Sequence, residues 1–468
     1  MKDSDFRNWG HRMVDRVADY LDEVEKYPVA SRVSPGEIKS RLPDAVPLRG
    51  ESMDAVMKDF EDIIMPGITH WQHPGWFAYF PANNSPPSIL AEILTAGLGA
   101  QCMVWQTSPA ATELEEVVTG WLRDMIGLPE DMSGVIQSTA SEATLCSLIT
   151  AREKATGFES NKKGLNAALV VYASTEAHSS VDKGAKIAGF GEENIRRIPV
   201  DENFAMIPGK LEEQIKADRA GGLVPGCVVA TVGTTSSGAV DPLGQIGEIC
   251  RRHDVFLHVD AAYAGTAAVV PGKRWILEGV EHADAFVFNP HKWMLVNFDC
   301  SAYFVKDPEL LVRSLEIHPE YLKTGVDSEV RNFRDWGIPL GRRFRALKLW
   351  FVLRSYGIEG IRDIVLRHME LAQEIKKRVE EHEHFQLMAP VHFGLVCFRL
   401  NDGRNEQDLD RLNREFIEKL NNTGKMFLTH TMLDKKYVLR MSVGSRTTQA
   451  RHVEAAWDTI MSTAEEVL

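Results

Sequence analysis

Four runs of apolar residues constrain this chain more than any other feature. Residues 168–172, 227–232, 255–259 and 285–288 are almost continuously apolar, and stretches of helical period separate them. A strand that is apolar on both faces must be covered on both faces. Such strands alternating with helices predict a mostly parallel sheet between helical layers, an α/β fold. A chain of 468 residues exceeds one ordinary core, and the pattern changes after residue 345. Helical stretches at 345–356 and 361–382 precede short strands near 395–400 and 437–443, which predicts a smaller α+β C-terminal domain. At the other end, Phe6, Trp9, Met13, Val17 and Leu21 recur at helical spacing. One amphipathic helix cannot bury that stripe against itself, so it is expected to dock on another surface. The expected division is residues 1–85, 86–345 and 346–468.

Open α/β sheets bind ligands beyond the carboxyl ends of their strands. The run at 168–172 leads to Ser174, Glu176, His178 and Ser180, and that at 227–232 leads to Gly233, Thr234 and Thr235. The third run ends at Asp260, followed by Ala261, Ala262 and Tyr263; the fourth leads into Asn289-Pro290-His291-Lys292-Trp293. Lys292 directly follows a buried strand. Either it snorkels to the sheet edge, or it is desolvated, with a lowered pKa and an amine free for Schiff-base chemistry. Asp260, if buried, needs a partner, and Ala262 leaves room for a flat ring. His178 is either a hydrogen-bonded core histidine or a residue that stacks on a ring or handles a proton. Thr139 and Glu142 have capping-box spacing ahead of an apolar helical run. With Ala140 and Ser141 between them, that helix start suits an anion. The aromatics Trp71, Trp76, Phe77, Tyr79 and Phe80 stand among the turn formers Pro81, Asn83, Asn84, Pro86 and Pro87. They line either the core or an aromatic pocket.

Other classes are disfavoured. A net charge of −13 argues against nucleic acid as a partner. No apolar run approaches the ~18 residues of a membrane span. The six cysteines include no CxxC pair, so no zinc site is expected. The charged start Met1-Lys2-Asp3 lacks the apolar core of a signal peptide, and a cytoplasmic location is expected.

These blocks together resemble the pyridoxal-dependent aromatic L-amino-acid decarboxylases (group II decarboxylases). The likeness runs from about Phe6 to Val467. It includes Thr69-His70-Trp71, Phe77-Ala78-Tyr79-Phe80-Pro81, Ser108-Pro109-Ala110-Ala111-Thr112-Glu113, Ala177-His178-Ser179-Ser180, His258-Val259-Asp260-Ala261-Ala262 and Asn289-Pro290-His291-Lys292-Trp293. The resemblance implies an aspartate-aminotransferase-like fold with a seven-stranded sheet, pyridoxal 5'-phosphate as cofactor, and a homodimer with interlocked N-terminal segments. Lys292 would carry the cofactor, Asp260 would pair with its ring nitrogen and His178 would stack over the ring. Ala140, Ser141 and Asn289 would hold the phosphate, with His291 and Thr235 nearby. Trp71, Tyr79, Phe80, Pro81, Ala82 and Met103 would shape the substrate pocket. Ala82 stands where relatives often carry a hydroxyl, and Met103 where some carry Phe. In the segment Asn332-Phe333-Arg334-Asp335-Trp336, the alignment places Phe333 where the family's decarboxylases carry a proton-donating Tyr. Relatives with Phe there resemble aromatic aldehyde synthases, which release aldehyde, ammonia and H2O2. The resemblance thus leaves amine and aldehyde as alternative products.

Overall fold

The apolar runs occupy the middle of the main sheet. In the computed structural model, which describes residues 3–317 and 329–468, the sheet has seven strands. They are β1 (Ser133–Gln137), β2 (Leu169–Ser174), β3 (Ile195–Ile198), β4 (Val224–Thr231), β5 (Phe256–Asp260), β6 (Ala285–Phe288) and β7 (Ser301–Val305). Their spatial order is β1-β7-β6-β5-β4-β2-β3. The pairs β3–β2, β2–β4, β4–β5 and β5–β6 are parallel. Strand β7 runs antiparallel to both neighbours, β6 and β1. Strands β2, β5 and β6 are buried at every position, as helical cover on both faces requires.

A second, antiparallel sheet is built from β8 (Phe385–Leu387), β9 (Leu395–Leu400), β10 (Thr429–Leu433) and β11 (Lys436–Ser442), in the order β10-β11-β9-β8. Helices Glu406–Asn422 and Ala450–Val467 contribute to its core. The two helical stretches expected after residue 345 form one element, Arg345–Glu381, with Gly357 at φ 64° marking the break between them. The aromatic segment is sewn onto this second sheet. Phe77 N donates to Phe427 O, Ser442 N donates to Phe77 O, and Trp76 stacks on Phe427 at 5.3 Å. The N-terminal stripe lies on the helix Asp3–Glu23.

One buried ion pair locks the segment around Phe333 to the edge of the main sheet. Arg342 Nη2 lies 2.6 Å from Glu115 Oε1, with both side chains more than nine-tenths buried. The same guanidinium donates to Ile136 O and Cys102 O, while Glu115 accepts from Ile136 N. Removing one partner of such a pair strands the other charge in a dry site. Arg342→Met is therefore expected to destabilise the fold by about 3–5 kcal/mol, seen as a clear fall in Tm by scanning calorimetry. An unchanged Tm would show that water reaches Glu115.

Candidate active site

Four strand ends deliver side chains to one place. Beyond β2 stands His178, beyond β4 Thr235, at the end of β5 Asp260, and beyond β6 Asn289, His291 and Lys292. With Ala140, Ser141 and Ala262 they line a cavity of about 230 Å3. A second cavity of about 450 Å3 shares Phe80, His178, Thr235, His291 and Lys292 with the first. Trp71, Tyr79, Pro81, Ala82, Phe298 and Arg440 also line it. The two readings of the aromatic segment thus divide residue by residue. Trp76 and Phe77 are core, whereas Trp71, Tyr79 and Phe80 are wall.

The floor is the start of helix Ala140–Thr156. Thr139 Oγ1 caps it by accepting from Glu142 N at 3.3 Å. The Glu142 carboxylate bonds to Ser138 N, at 3.0 Å, and to Ser138 Oγ, so the capping box is only half formed. The helix start presents backbone N–H groups and two small residues to the cavity, a ready anion site. Ser180 and Thr231 also line this cavity, and their hydroxyls have no hydrogen-bond partner among the described residues. Gly233 (φ +83°) is required by space as well as by conformation, since a Cβ there would come within 2.5 Å of Ala264 Cβ.

Electrostatics single out the lysine. Lys292 Nζ has no hydrogen bond or ion pair among the described residues and lies 5.3 Å from the centre of the Phe80 ring. Burial lowers its pKa, Asp260 opposes this, and Arg440 reinforces it. Asp260 Oδ1 accepts from Ala262 N at 3.0 Å. The His178 pKa is depressed, chiefly by burial. Its Nδ1 accepts from Ser180 N at 3.1 Å, so the neutral ring carries its proton on Nε2. Burial pushes the His291 pKa down to about 3, and its Nδ1 accepts from Cys300 N at 2.9 Å. Tyr79 holds φ at +53°, a conformation unfavourable for an aromatic residue and tolerated where a site needs the side chain aimed. Thr429 Oγ1 secures it, accepting from both Tyr79 N and Arg440 Nη1.

Arg440 escaped the sequence reading. It is 4% exposed, its Nε and Nη2 have no hydrogen-bond partner among the described residues, and it lines the aromatic cavity. The available signal was an arginine inside the apolar run Val438-Leu439-Arg440-Met441. A charge is rarely buried in such a strand without a task.

The chain belongs to the pyridoxal-dependent decarboxylase family. Residues 35–401 match the family described as "Pyridoxal-dependent decarboxylase conserved domain". The chain is 44% identical to "Tryptophan decarboxylase 2" of Oryza sativa subsp. japonica, over 99% of this chain and 95% of that one. It is also 44% identical to "Phenylacetaldehyde synthase" of Arabidopsis thaliana, over 100% and 97%. The Oryza sativa TDC crystal structure with PLP and tryptamine superposes with a TM-score of 0.97 at 38% identity, covering 100% of this chain and 99% of that one. The site fits the family's cofactor. It offers an anion site at a helix start, a carboxylate for a ring nitrogen, unpartnered hydroxyls and a free lysine amine.

Two residues that the resemblance assigns to the pocket of a neighbouring subunit, Met103 and Phe333, line neither cavity of their own chain. Met103 is half-buried, lines neither cavity, and bonds through its carbonyl to Arg334 N at 2.8 Å. Phe333 lines neither cavity of its own chain. Its ring is 1% exposed, packs edge-on against Trp336 at 5.6 Å, and lies under the Arg342 guanidinium at 4.8 Å. Phe333→Tyr is expected to push a hydroxyl into this cluster and cost about 1–3 kcal/mol, with no change in reaction product. A shift in the amine-to-aldehyde ratio would place Phe333 in the chemistry.

Proposed function

We propose that this decarboxylase converts aromatic L-amino acids to the aromatic amine and CO2, with pyridoxal 5'-phosphate held at Lys292. The observation that carries this reading is the meeting of an unpartnered lysine amine, an aromatic wall and an unpaired arginine in one pair of joined cavities. When bound, the cofactor supplies an electron sink for the pair left behind as CO2 departs. The residues do the rest. Asp260 keeps the ring nitrogen protonated, and Ala262 leaves space beneath the ring. The helix start at Ala140 and Ser141, with Asn289, holds the phosphate, and Thr235 and His291 border it. His178 covers the ring from the other side. Trp71 and Tyr79, stacked at 5.6 Å and 12°, form with Phe80, Pro81 and Ala82 a slot for an aromatic ring. Arg440 receives the substrate carboxylate on its free Nε and Nη2.

The carbon that loses CO2 must then take a proton. One similar relative is a phenylacetaldehyde synthase, so kinship alone does not choose the product, and the packing of Phe333 away from both cavities of its own chain favours the amine. A phenol is the better donor, because His178 is a neutral imidazole. Of the nine tyrosines, six line neither cavity, and a seventh, Tyr263, is enclosed between the Phe80 and Trp293 rings. The remaining two are Tyr79, at the cavity, and Tyr321, which falls outside the described residues. Assayed in air with L-Trp, L-Tyr, L-Phe and L-DOPA, the enzyme is expected to release amine and CO2 in equal amounts without H2O2. Of Tyr79→Phe and Tyr321→Phe, the variant lacking the donor phenol should lose amine and gain peroxide. Stoichiometric peroxide from the unaltered enzyme would establish the aldehyde reaction instead.

The assembly proposed is a homodimer. Helix Pro86–Leu98 buries Ser88, Ala91 and Thr95 against its own chain and leaves Leu90, Ile93, Leu94 and Leu98 half or more exposed, an apolar face suited to a second copy. Residues 1–85 would form the arm exchanged between subunits, 86–345 the cofactor domain and 346–468 the small domain, with Met103 available to the neighbouring pocket. No described helix is long and apolar enough to cross a membrane. Six free, buried cysteines suit a reducing cytoplasm.

Arg440 gives this reading a sharp test. Charge-assisted hydrogen bonds to a carboxylate are worth about 1.5–3 kcal/mol. Arg440→Gln should therefore weaken amino-acid binding roughly 10–100-fold, while inhibition by the product amine, which has no carboxylate, stays nearly constant. Equal losses for amine and amino acid would remove the carboxylate from Arg440.

A further inference from the structure

Lys292 has two jobs that conflict. It must bind the cofactor, and it must stand aside, carrying a proton, whenever a substrate amine takes its place. An ammonium ion standing aside in a desolvated pocket needs something to rest on. No carboxylate or carbonyl of the described residues lies within hydrogen-bond reach of Nζ; what lies there is the Phe80 ring, 5.3 Å from Nζ to ring centre.

That ring is fixed relative to the lysine by more than contact. Phe80 stacks on Tyr263 at 3.8 Å and 15°, and Tyr263 stacks on Trp293 at 4.8 Å and 15°. Trp293 is the residue directly after Lys292, and its Nε1 donates to His368 Nδ1 at 2.9 Å. Asn83 Nδ2, three residues after Phe80, donates to Lys292 O at 2.9 Å. A column of rings and a backbone tie therefore hold one aromatic ring in register with the amine, and the Arg440 guanidinium lies 5.3 Å from the centre of the same ring. A substrate wall alone would not need this register.

We infer that Phe80 is a positioning residue for Lys292, its ring supporting the ammonium form by a cation–π contact whenever the lysine is not joined to the cofactor. The inference rests on the reading of Lys292 as the cofactor's anchor. The charged and titratable groups around the amine are Asp260 from β5, Arg440 from β11, His178 beyond β2 and His291 in the turn after β6. Asp260 favours the ammonium, Arg440 opposes it, and both histidines have depressed pKa values and are neutral near pH 7. An aromatic face within ~6 Å adds to the favourable side.

The sign follows. Removing the ring withdraws support from the charged form, so the Lys292 pKa must fall. The measurement is the pH midpoint for acetylation of Lys292 in the full-length chain freed of cofactor, read by peptide mass spectrometry. Phe80→Leu and Phe80→Met keep the site apolar without a ring, and each should lower the midpoint by roughly half a unit to one unit. Phe80→Tyr should leave it in place, and Arg440→Gln should raise it. An unmoved or raised midpoint in folded Phe80→Leu or Phe80→Met would overturn the inference. Because the readout needs no cofactor, it is independent of where the cofactor attaches. Attachment at another lysine would defeat the proposed function and leave this midpoint result standing.

Discussion

A lysine amine without a partner, held inside a protein, is costly to keep, and the architecture around Lys292 is best understood from that cost. Among the described residues no carboxylate or carbonyl bonds to the amine, and burial lowers its pKa. Asp260 is near enough to act through space but bonds to the backbone at Ala262. Arg440 adds a like charge. The balance favours an amine that gives up its proton more readily than a surface lysine does, which is what a group that bonds to a carbonyl and later leaves it requires. Four strand ends and the second sheet all converge on this point.

The polar groups buried behind the cavity keep its walls still. Beneath Asp260, His258 bonds through Nδ1 to Ser147 Oγ at 3.0 Å, and Ser147 Oγ bonds to Tyr303 OH at 2.8 Å. These contacts join helix Ala140–Thr156 to β5 and β7. Asp241, fully buried, accepts from Met206 N and Thr231 N, both at 2.7 Å, and so fixes the end of β4 where Thr231 and Thr235 emerge. Each buried group is satisfied from a different element, so these contacts act as spacers as well as bonds. The aromatic wall is held differently, by backbone bonds between the 75–79 segment and the second sheet. Movement between the two sheets would therefore alter the substrate slot before the anion site.

How much of this could be read from the sequence depended on burial pattern. Strands β2, β4, β5 and β6 announced themselves because strands covered on both faces must be apolar throughout. Strands β1, with Ser133 and Gly134, and β3, with Arg196 and Arg197, carry no such pattern, so the family resemblance, not periodicity, gave seven strands. Lys292, Asp260 and His178 were legible because each follows a strand that ends in the right place. Arg440 was hidden by its apolar neighbours. The enclosure of Phe333 within its own chain was not legible, because a matched string of residues fixes register and says nothing about exposure. Its spacing to Trp336, one helical turn, belongs to a packed pair.

The central claim, that the unpartnered amine of Lys292 holds the cofactor, has a direct chemical test. The protein loaded with pyridoxal phosphate is reduced with borohydride, digested, and its pyridoxyl-bearing peptide sequenced by mass spectrometry. The account requires the label on Lys292, in the peptide containing Asn289-Pro290-His291. Label on any other lysine, or a cofactor that reduction does not fix to the chain, would contradict it.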